Sequence, residues 1–243
     1  MHYALSILFL ALSEGYVPTK PAPPVAVVEL FTAEGCSSCP LADEMLKELT
    51  DIMQKEGKHV LALAYHVTYW NHLGWVDPYS QEAFTERQKK YSKLLNVQGL
   101  YTPEAVVNGK HEFVGSNPVS FRMAVDSALR TPATYALEAH AALQKDSVKL
   151  TYTLSKEPKR VVLNVAIVEK YVEHRVLRGE NKDRTLKHYH VVRAMEKILK
   201  PMQNGTYTLA WPADLPKENG EMIVYVQQTS GWSIVGGVGV EVE

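Results

Sequence analysis

Neither sign of charge is in surplus: 26 Lys and Arg stand against 27 Asp and Glu, a formal net charge of -1 with His neutral. No basic face recommends a nucleic acid as partner, and no acidic tail recommends a basic one. The sequence has no internal repeat, no low-complexity segment and no apolar run of the roughly 20 residues that a membrane-spanning helix needs. Cysteine is scarcest of all, with two in 243 residues, so all thiol chemistry rests on one pair. What is there is an ordinary globular composition, 46% hydrophobic and 22% charged, long enough to bury a core in one large domain or two small ones.

The short apolar run Ala4 to Leu12, with Ala11-Leu12-Ser13 behind it, places small residues where a signal peptidase reads. Met1-His2-Tyr3 carries no Lys or Arg, which departs from the usual basic start of a secretory signal. Glu14 interrupts the run well short of a membrane span, and no Cys follows it to take a lipid. Pro18, Pro21, Pro23 and Pro24 then favour an extended linker. Residues 1–24 are therefore expected to be a signal peptide and Pro-rich linker, with the remainder periplasmic or secreted and without a stable membrane span once the signal is removed.

Val25 to Thr32 is a nearly continuous β-branched apolar run, the pattern of a central strand covered on both faces. Gly35 marks a turn, Cys36 and Cys39 follow, and a helical pattern runs from Pro40 to about Gln54, with Leu41, Met45, Leu49 and Ile52 at three- and four-residue steps. Pro40 is tolerated because it falls in the first turn. His59 to His66 reads as a second buried strand, so the first crossover is right-handed and parallel. An aromatic, turn-rich stretch from Val67 to Tyr79 leads into a charged amphipathic helix, Ser80 to Leu95, with Ser80 as its expected cap. Glu104 to Val107, Asn108-Gly109 and Lys110 to Val114 read as a hairpin, and Asn117-Pro118 opens a last helix to about Leu129. The order strand, helix, strand, inserted helix, hairpin, helix is that of the thioredoxin fold.

Beyond Pro132 the periodicity changes. Tyr135 to Leu143, Ser147 to Leu154, Arg160 to Val172, Tyr189 to Leu199, Tyr207 to Trp211, Met222 to Thr229 and Ser233 to Val242 are mostly alternating or β-branched runs between turn residues. The spacing of Tyr189 to Leu199 also fits a helix. The expectation is an α/β thioredoxin-like domain with a helical insertion at residues 25–132, followed by a β-rich, sandwich-like domain at residues 133–243.

The pair Cys36-Ser37-Ser38-Cys39 sits where a strand hands over to a helix. Two residues between cysteines allow a disulfide across one helical turn. The unpaired amides and partial positive charge of a helix N-terminus stabilise a thiolate, which is the nucleophile. Cys36 is thus expected to attack and Cys39, a turn further in and more buried, to resolve the mixed disulfide. Closing so small a loop removes little chain entropy, so stability alone is a poor reason for the bond. Ser37 and Ser38 add hydroxyls but no positive charge, which points to an intermediate potential. The rival chemistry is a thiol-based site for Cu(I) or Zn, in which His66 or His72 would join Cys36 and Cys39. A third reading is a non-catalytic interaction protein. The oxidoreductase reading calls for no cofactor, and its partners are protein thiols or disulfides in the exported compartment.

Val28-Glu29-Leu30-Phe31-Thr32-Ala33-Glu34-Gly35-Cys36-Ser37-Ser38-Cys39-Pro40, with Gly74-Trp75-Val76-Asp77-Pro78 and Arg178-Gly179-Glu180-Asn181, resembles the secreted thioredoxin-like bacterial family known as domain of unknown function 1223. The resemblance implies a thioredoxin-like domain, a β-rich domain and export, without an established substrate. By wider resemblance to thioredoxins, Cys36 matches the attacking cysteine, Cys39 the resolving one, and Thr102-Pro103 the segment whose cis-proline faces the disulfide. Such a proline leaves backbone groups, including those of Thr102, free to pair with an extended partner; an ordinary proline at a strand edge is the plainer reading. Gly35 replaces the usual aromatic before the first cysteine, and Leu30 stands where thioredoxins keep a buried acid. Glu29, sharing a face with Val27 and Phe31, would either exchange a proton with Cys39 or serve as a paired structural acid. Trp70 and Trp75, with Tyr69, would either line a substrate groove beside Ser37 and Ser38 or pack as core. The turn Arg178 to Asn181, with Arg184, reads as a surface hairpin with an ion pair and is left outside the site.

Overall fold

The computed structural model describes residues 21–243; residues 1–20, with the expected signal and the start of the linker, lie outside the described residues. The described chain is a mixed α/β protein with three α-helices, one mixed sheet of eight strands and one antiparallel sheet of three. Among the described residues no helix is long and apolar enough to cross a membrane.

β1 (Ala26–Thr32) is buried at every position, as its unbroken apolar run requires. It lies between parallel β2 (Val60–His66) and antiparallel β3 (Glu104–Val107). The connecting α1 (Cys39–Lys55) starts at the second cysteine with Pro40 in its first turn. Its buried face is Cys39, Ala42, Asp43, Leu46, Thr50 and Met53, not the stripe through Leu41 and Ile52, which are 62% and 41% exposed. Two polar residues on the inner face, Asp43 and Thr50, hide it from an apolar pattern search.

α2 (Glu82–Leu95) is capped at Gln81 rather than Ser80. The Ser80 hydroxyl instead donates to the Asp77 carbonyl at 2.8 Å, closing the preceding turn. β3 and β4 (His111–Val114) form the expected hairpin, with Asn108 and Gly109 both at positive φ, 49° and 65°, as the tight turn demands. Asn108 also accepts from the Val27 amide and donates to the Val25 carbonyl, tying the turn to the start of β1. α3 (Pro118–Leu129) is capped by the Asn117 side chain, which accepts from the amides of Val119 and Ser120.

Seven strands follow: β5 (Leu137–Gln144), β6 (Ser147–Leu154), β7 (Val161–Arg175), β8 (Thr185–Ile198), β9 (Asn204–Ala210), β10 (Gly220–Gln228) and β11 (Ile234–Glu241). The large sheet has the order β11-β10-β7-β8-β2-β1-β3-β4, so it runs across residue 132. The junction is a parallel bridge between Ala64 of β2 and Val191 of β8. β5, β6 and β9 form the small sheet, whose Leu150, Leu154 and Leu209 pack with Leu163, Val165, Val224 and Val240 of the large one. Residues 189–198, for which a helix also fits, are strand: His190 at φ 54° and a register shift opposite Ile167/Val168 break the alternation, and Val191 and Val192 are both buried.

Candidate functional site

The loop after β1 turns on the Cys36 amide, which donates to the Ala33 carbonyl at 3.1 Å, and delivers Cys36 and Cys39 to the N-terminus of α1. The two are joined as a disulfide, with Cα atoms 5.4 Å apart. Both are buried, Cys36 at 1% and Cys39 at 0% exposure, while Ser37 and Ser38 between them face solvent. The sequence anticipates the burial of Cys39; that of Cys36 follows from what covers it.

Three segments cover it. Thr102-Pro103, joined by a cis peptide bond, brings the Thr102 carbonyl oxygen to 3.8 Å from Cys36 Sγ. Trp70 donates from its indole nitrogen to Thr102 Oγ1 at 2.8 Å and presses on Gly35, where an added Cβ would meet Trp70 Cβ at 3.1 Å. Gly35 thus makes room for an aromatic ring contributed from elsewhere in the chain. The third segment is the tip of the β7–β8 hairpin. Asn181 is fully buried and its amide donates to the carbonyls of Glu34 at 2.8 Å and Cys36 at 2.9 Å, while Arg184 donates to the Asn181 side-chain oxygen at 2.6 Å. Glu180 accepts from the Ser37 amide at 3.0 Å, and the Ser37 hydroxyl and amide hold its carboxyl below the usual range. The turn that reads as a surface hairpin is therefore part of the wall of the site, a correction that only long-range contacts could supply. The Ser38 hydroxyl, 3.3 Å from Cys36 Sγ, completes the polar contacts of the sulfur.

Behind the disulfide lies a buried cluster of acids and histidines. Glu34 is fully buried; its Oε2 accepts from the Trp75 indole at 2.7 Å, and its Oε1 lies 2.7 Å from His174 Nδ1 and 3.1 Å from His188 Nε2. His188 reaches Asp43 through Nδ1 at 3.4 Å. Burial opposes a charge on His188, but the hydrogen bonds and charges of Asp43 and Glu34 outweigh it and push its pKa up to about 10. The His188 ring is 4.8 Å from that of His66, whose Nδ1 pairs with Asp77 at 2.7 Å. Burial works against a charged Asp77, yet His66 and the amides of Glu34 and Tyr79 hold its carboxyl below the usual range.

Of the residues singled out in the sequence, Cys36, Cys39, Ser37, Ser38, Thr102, Pro103 and Trp70 come together. Trp75 anchors Glu34 one layer back. Glu29 lies in a different cluster: Arg87 donates to its Oε1 at 2.6 Å, and Tyr91 and Tyr225 also donate to its carboxylate. His72 is an exposed residue whose Nδ1 lies 2.7 Å from the Tyr69 carbonyl oxygen, and His66 is engaged by Asp77. Among the described residues no group of three or more His, Cys, Asp or Glu side chains is arranged to hold a metal ion. Glu34, Asp43, Asp77, His174, His188, Glu180 and Asn181 are the residues that sequence reasoning missed. A signal was present for some of them, since Glu34, Asp77 and the turn Arg178 to Asn181 lie in the segments that carry the family resemblance, and those segments converge on the disulfide.

Comparison with known proteins agrees with that convergence. Residues 27–227 match the family described as "Protein of unknown function (DUF1223)". A crystal structure of a protein from Agrobacterium tumefaciens is 27% identical, with 90% of this chain and 95% of that one covered and a TM-score of 0.68. HBP35 of Porphyromonas gingivalis is 14% identical, with 91% of this chain and 76% of that one covered and a TM-score of 0.64; at that identity the likeness is one of fold. No curated protein matches the chain.

Proposed function

The chain belongs to the family of unknown function DUF1223, and from that premise, which supplies no reaction, we propose that it is an exported thiol-disulfide oxidoreductase. The observation that carries the reading is the Cys36–Cys39 disulfide at the N-terminus of α1, at the end of a central strand and beside the Thr102 carbonyl. Residues 25–132 act as a thioredoxin-like unit with α2 as its insertion, and the β-rich, sandwich-like remainder contributes Glu180, Asn181 and His188 to the site.

In the reducing direction the Cys36 thiolate, stabilised by the helix N-terminus, attacks a partner disulfide, and one partner sulfur leaves as a thiolate. Cys39 then attacks Cys36 Sγ, the bond from Cys36 to the partner breaks, and the second partner thiolate leaves. Two electrons pass to the partner and the Cys36–Cys39 disulfide is restored. In the oxidising direction a partner thiolate attacks Cys36 and the steps run in reverse. Thr102 and Pro103 offer backbone groups to an extended partner chain beside the sulfurs.

The test is redox titration of the pair against glutathione, joined to trapping with a Cys39→Ser variant. The expected result is a two-electron equilibrium and a mixed disulfide through Cys36 with exported proteins. A pair that does not equilibrate, in a protein that traps no partner, overturns the reading.

A further inference from the structure

The exposed carboxylate of Glu180 has no part in the thiol exchange just described, yet it is bonded to the loop that carries it out. Its Oε2 accepts from the Ser37 amide at 3.0 Å, and that nitrogen is joined covalently to the carbonyl carbon of Cys36. Bonded geometry keeps Ser37 N within about 5 Å of Cys36 Sγ, which brings the carboxylate oxygen within about 8 Å of the sulfur. A helix N-terminus attracts negative charge, but α1 has no acidic residue in its first turn and no side-chain cap. Glu180 supplies that charge from the β7–β8 hairpin, 143 residues further along the chain. Its neighbour Asn181, buried and bonded to the carbonyls of Glu34 and Cys36, holds the hairpin tip in place.

We propose that Glu180 is a positioning residue that lowers the reduction potential of the Cys36–Cys39 pair by competing with the Cys36 thiolate for the N-terminus of α1. The proposal rests on the oxidoreductase reading. In the disulfide the sulfurs are uncharged, and Glu180 alone draws on the amides and partial positive charge of the helix end. When two glutathione thiols reduce the pair, one glutathione disulfide forms, Cys39 becomes a thiol, and Cys36 becomes a thiolate as one proton leaves for water. Two anions then share one helix end and repel each other across the Ser37 amide. The reduced state bears that repulsion and the oxidised state does not. The carboxylate therefore drives the pair toward the disulfide and makes it the stronger reductant.

Cys36 Sγ itself touches neutral groups, the Ser38 hydroxyl at 3.3 Å and the Thr102 carbonyl at 3.8 Å. The other charged groups on the elements around it are committed elsewhere. Glu34, in the loop after β1, turns its carboxylate to Trp75, His174 and His188, and Asp43 of α1 pairs with His188. Arg184 of the hairpin donates to the Asn181 side chain, while Trp70, Thr102 and Pro103 bring no charge. Among the described residues Glu180 is the one charged side chain bonded to Cys36-Ser37-Ser38-Cys39. Ser37 holds its carboxyl below the usual range, so it is an anion near neutrality.

The test compares the full chain with its Glu180→Gln and Glu180→Lys variants from about pH 5 to 9. Glu180 is exposed, so neither substitution enters the core, and the Gln side-chain oxygen can still accept from Ser37, which removes the charge and keeps the bond. Ultraviolet absorbance of the thiolate locates the first ionisation of the reduced pair, expected at lower pH in Glu180→Gln and lower again in Glu180→Lys. Above that ionisation, equilibration with glutathione should favour the reduced form of Glu180→Gln about fivefold more than in the parent, a rise in potential of about 20 mV. The first ionisation at the same pH in all three proteins overturns the role of Glu180, because a merely structural contact leaves the thiolate where it was. Equal glutathione constants above the ionisation overturn it as well, and both outcomes leave the oxidoreductase reading standing. A parent pair that fails to equilibrate with glutathione at any pH overturns that reading, and the role of Glu180 with it.

Discussion

Glu104 follows Pro103 and is fully buried in the first strand after the site. Its Oε2 accepts from the Gln88 amide at 2.6 Å and its Oε1 has no partner. Burial raises its pKa to about 7, with Glu112 adding to the shift and Gln88 opposing it. Because the folded value lies above the unfolded one, the contribution of Glu104 to stability is complete below about pH 4.5 and is lost as the pH rises through about 7. The loss amounts to about 3 kcal/mol from the size of the shift. Urea denaturation at pH 5 and pH 8 should show Glu104→Gln less sensitive to this rise than the parent. At this scale the sequence reveals what is local. Cys36 and Cys39 declare themselves through spacing, and Pro103 through its place before a strand. Glu34, Asp43 and His188 do not, because each is a single polar residue whose partners come from other elements.

The β7–β8 hairpin shows how an element can carry chemistry that its own sequence conceals. Its tip reads as a polar surface turn, and in part it is one: Glu180 is exposed. Asn181 is the exception, holding two carbonyls of the disulfide loop. Asn181→Ala leaves the Glu34 carbonyl without its donor and the Cys36 carbonyl with only the Cys39 amide, and is expected to lower the stability of the oxidised protein by about 1 to 3 kcal/mol. Urea denaturation measures that loss, and faster reduction of the disulfide by dithiothreitol should accompany it. Most elements are legible from period and punctuation: β1, β2, the Asn108-Gly109 hairpin and the Asn117 cap lie where the pattern puts them. The inner face of α1 is not, since the buried polar residues Asp43 and Thr50 interrupt its apolar stripe. Nor is β8 beyond doubt in the sequence, since the extra residue at Arg193, where the register shifts, and the positive φ of His190 break the strand alternation.

On the scale of the molecule, the change of period near Pro132 is plain in the sequence, but the joining of strands across it is not. The join depends on Ala64 meeting Val191, and no local pattern encodes a contact so distant in the chain. The same core holds Phe31, Leu63 and Tyr65 together with Ala166, Ile223, Tyr225 and Ile234. Arg87 of α2 sits between them, with its guanidinium 5.7 Å from the Tyr65 ring centroid and 5.8 Å from that of Tyr225. Residues 25–132 and 133–243 are therefore expected to unfold together. Far-ultraviolet circular dichroism and tryptophan fluorescence should follow one coincident transition in urea. Two separated transitions would contradict the shared core.

The clamp of Asn181 on the carbonyl of Cys36 spans 145 residues of sequence. A ribosome adding about 5 to 20 residues per second makes Cys36 roughly 7 to 29 s before it makes Asn181. During that interval the thiols lack the part of their cover that the hairpin tip supplies. The oxidation state in which the pair is first sealed is thus set by the compartment the growing chain meets, before the finished fold controls access to it.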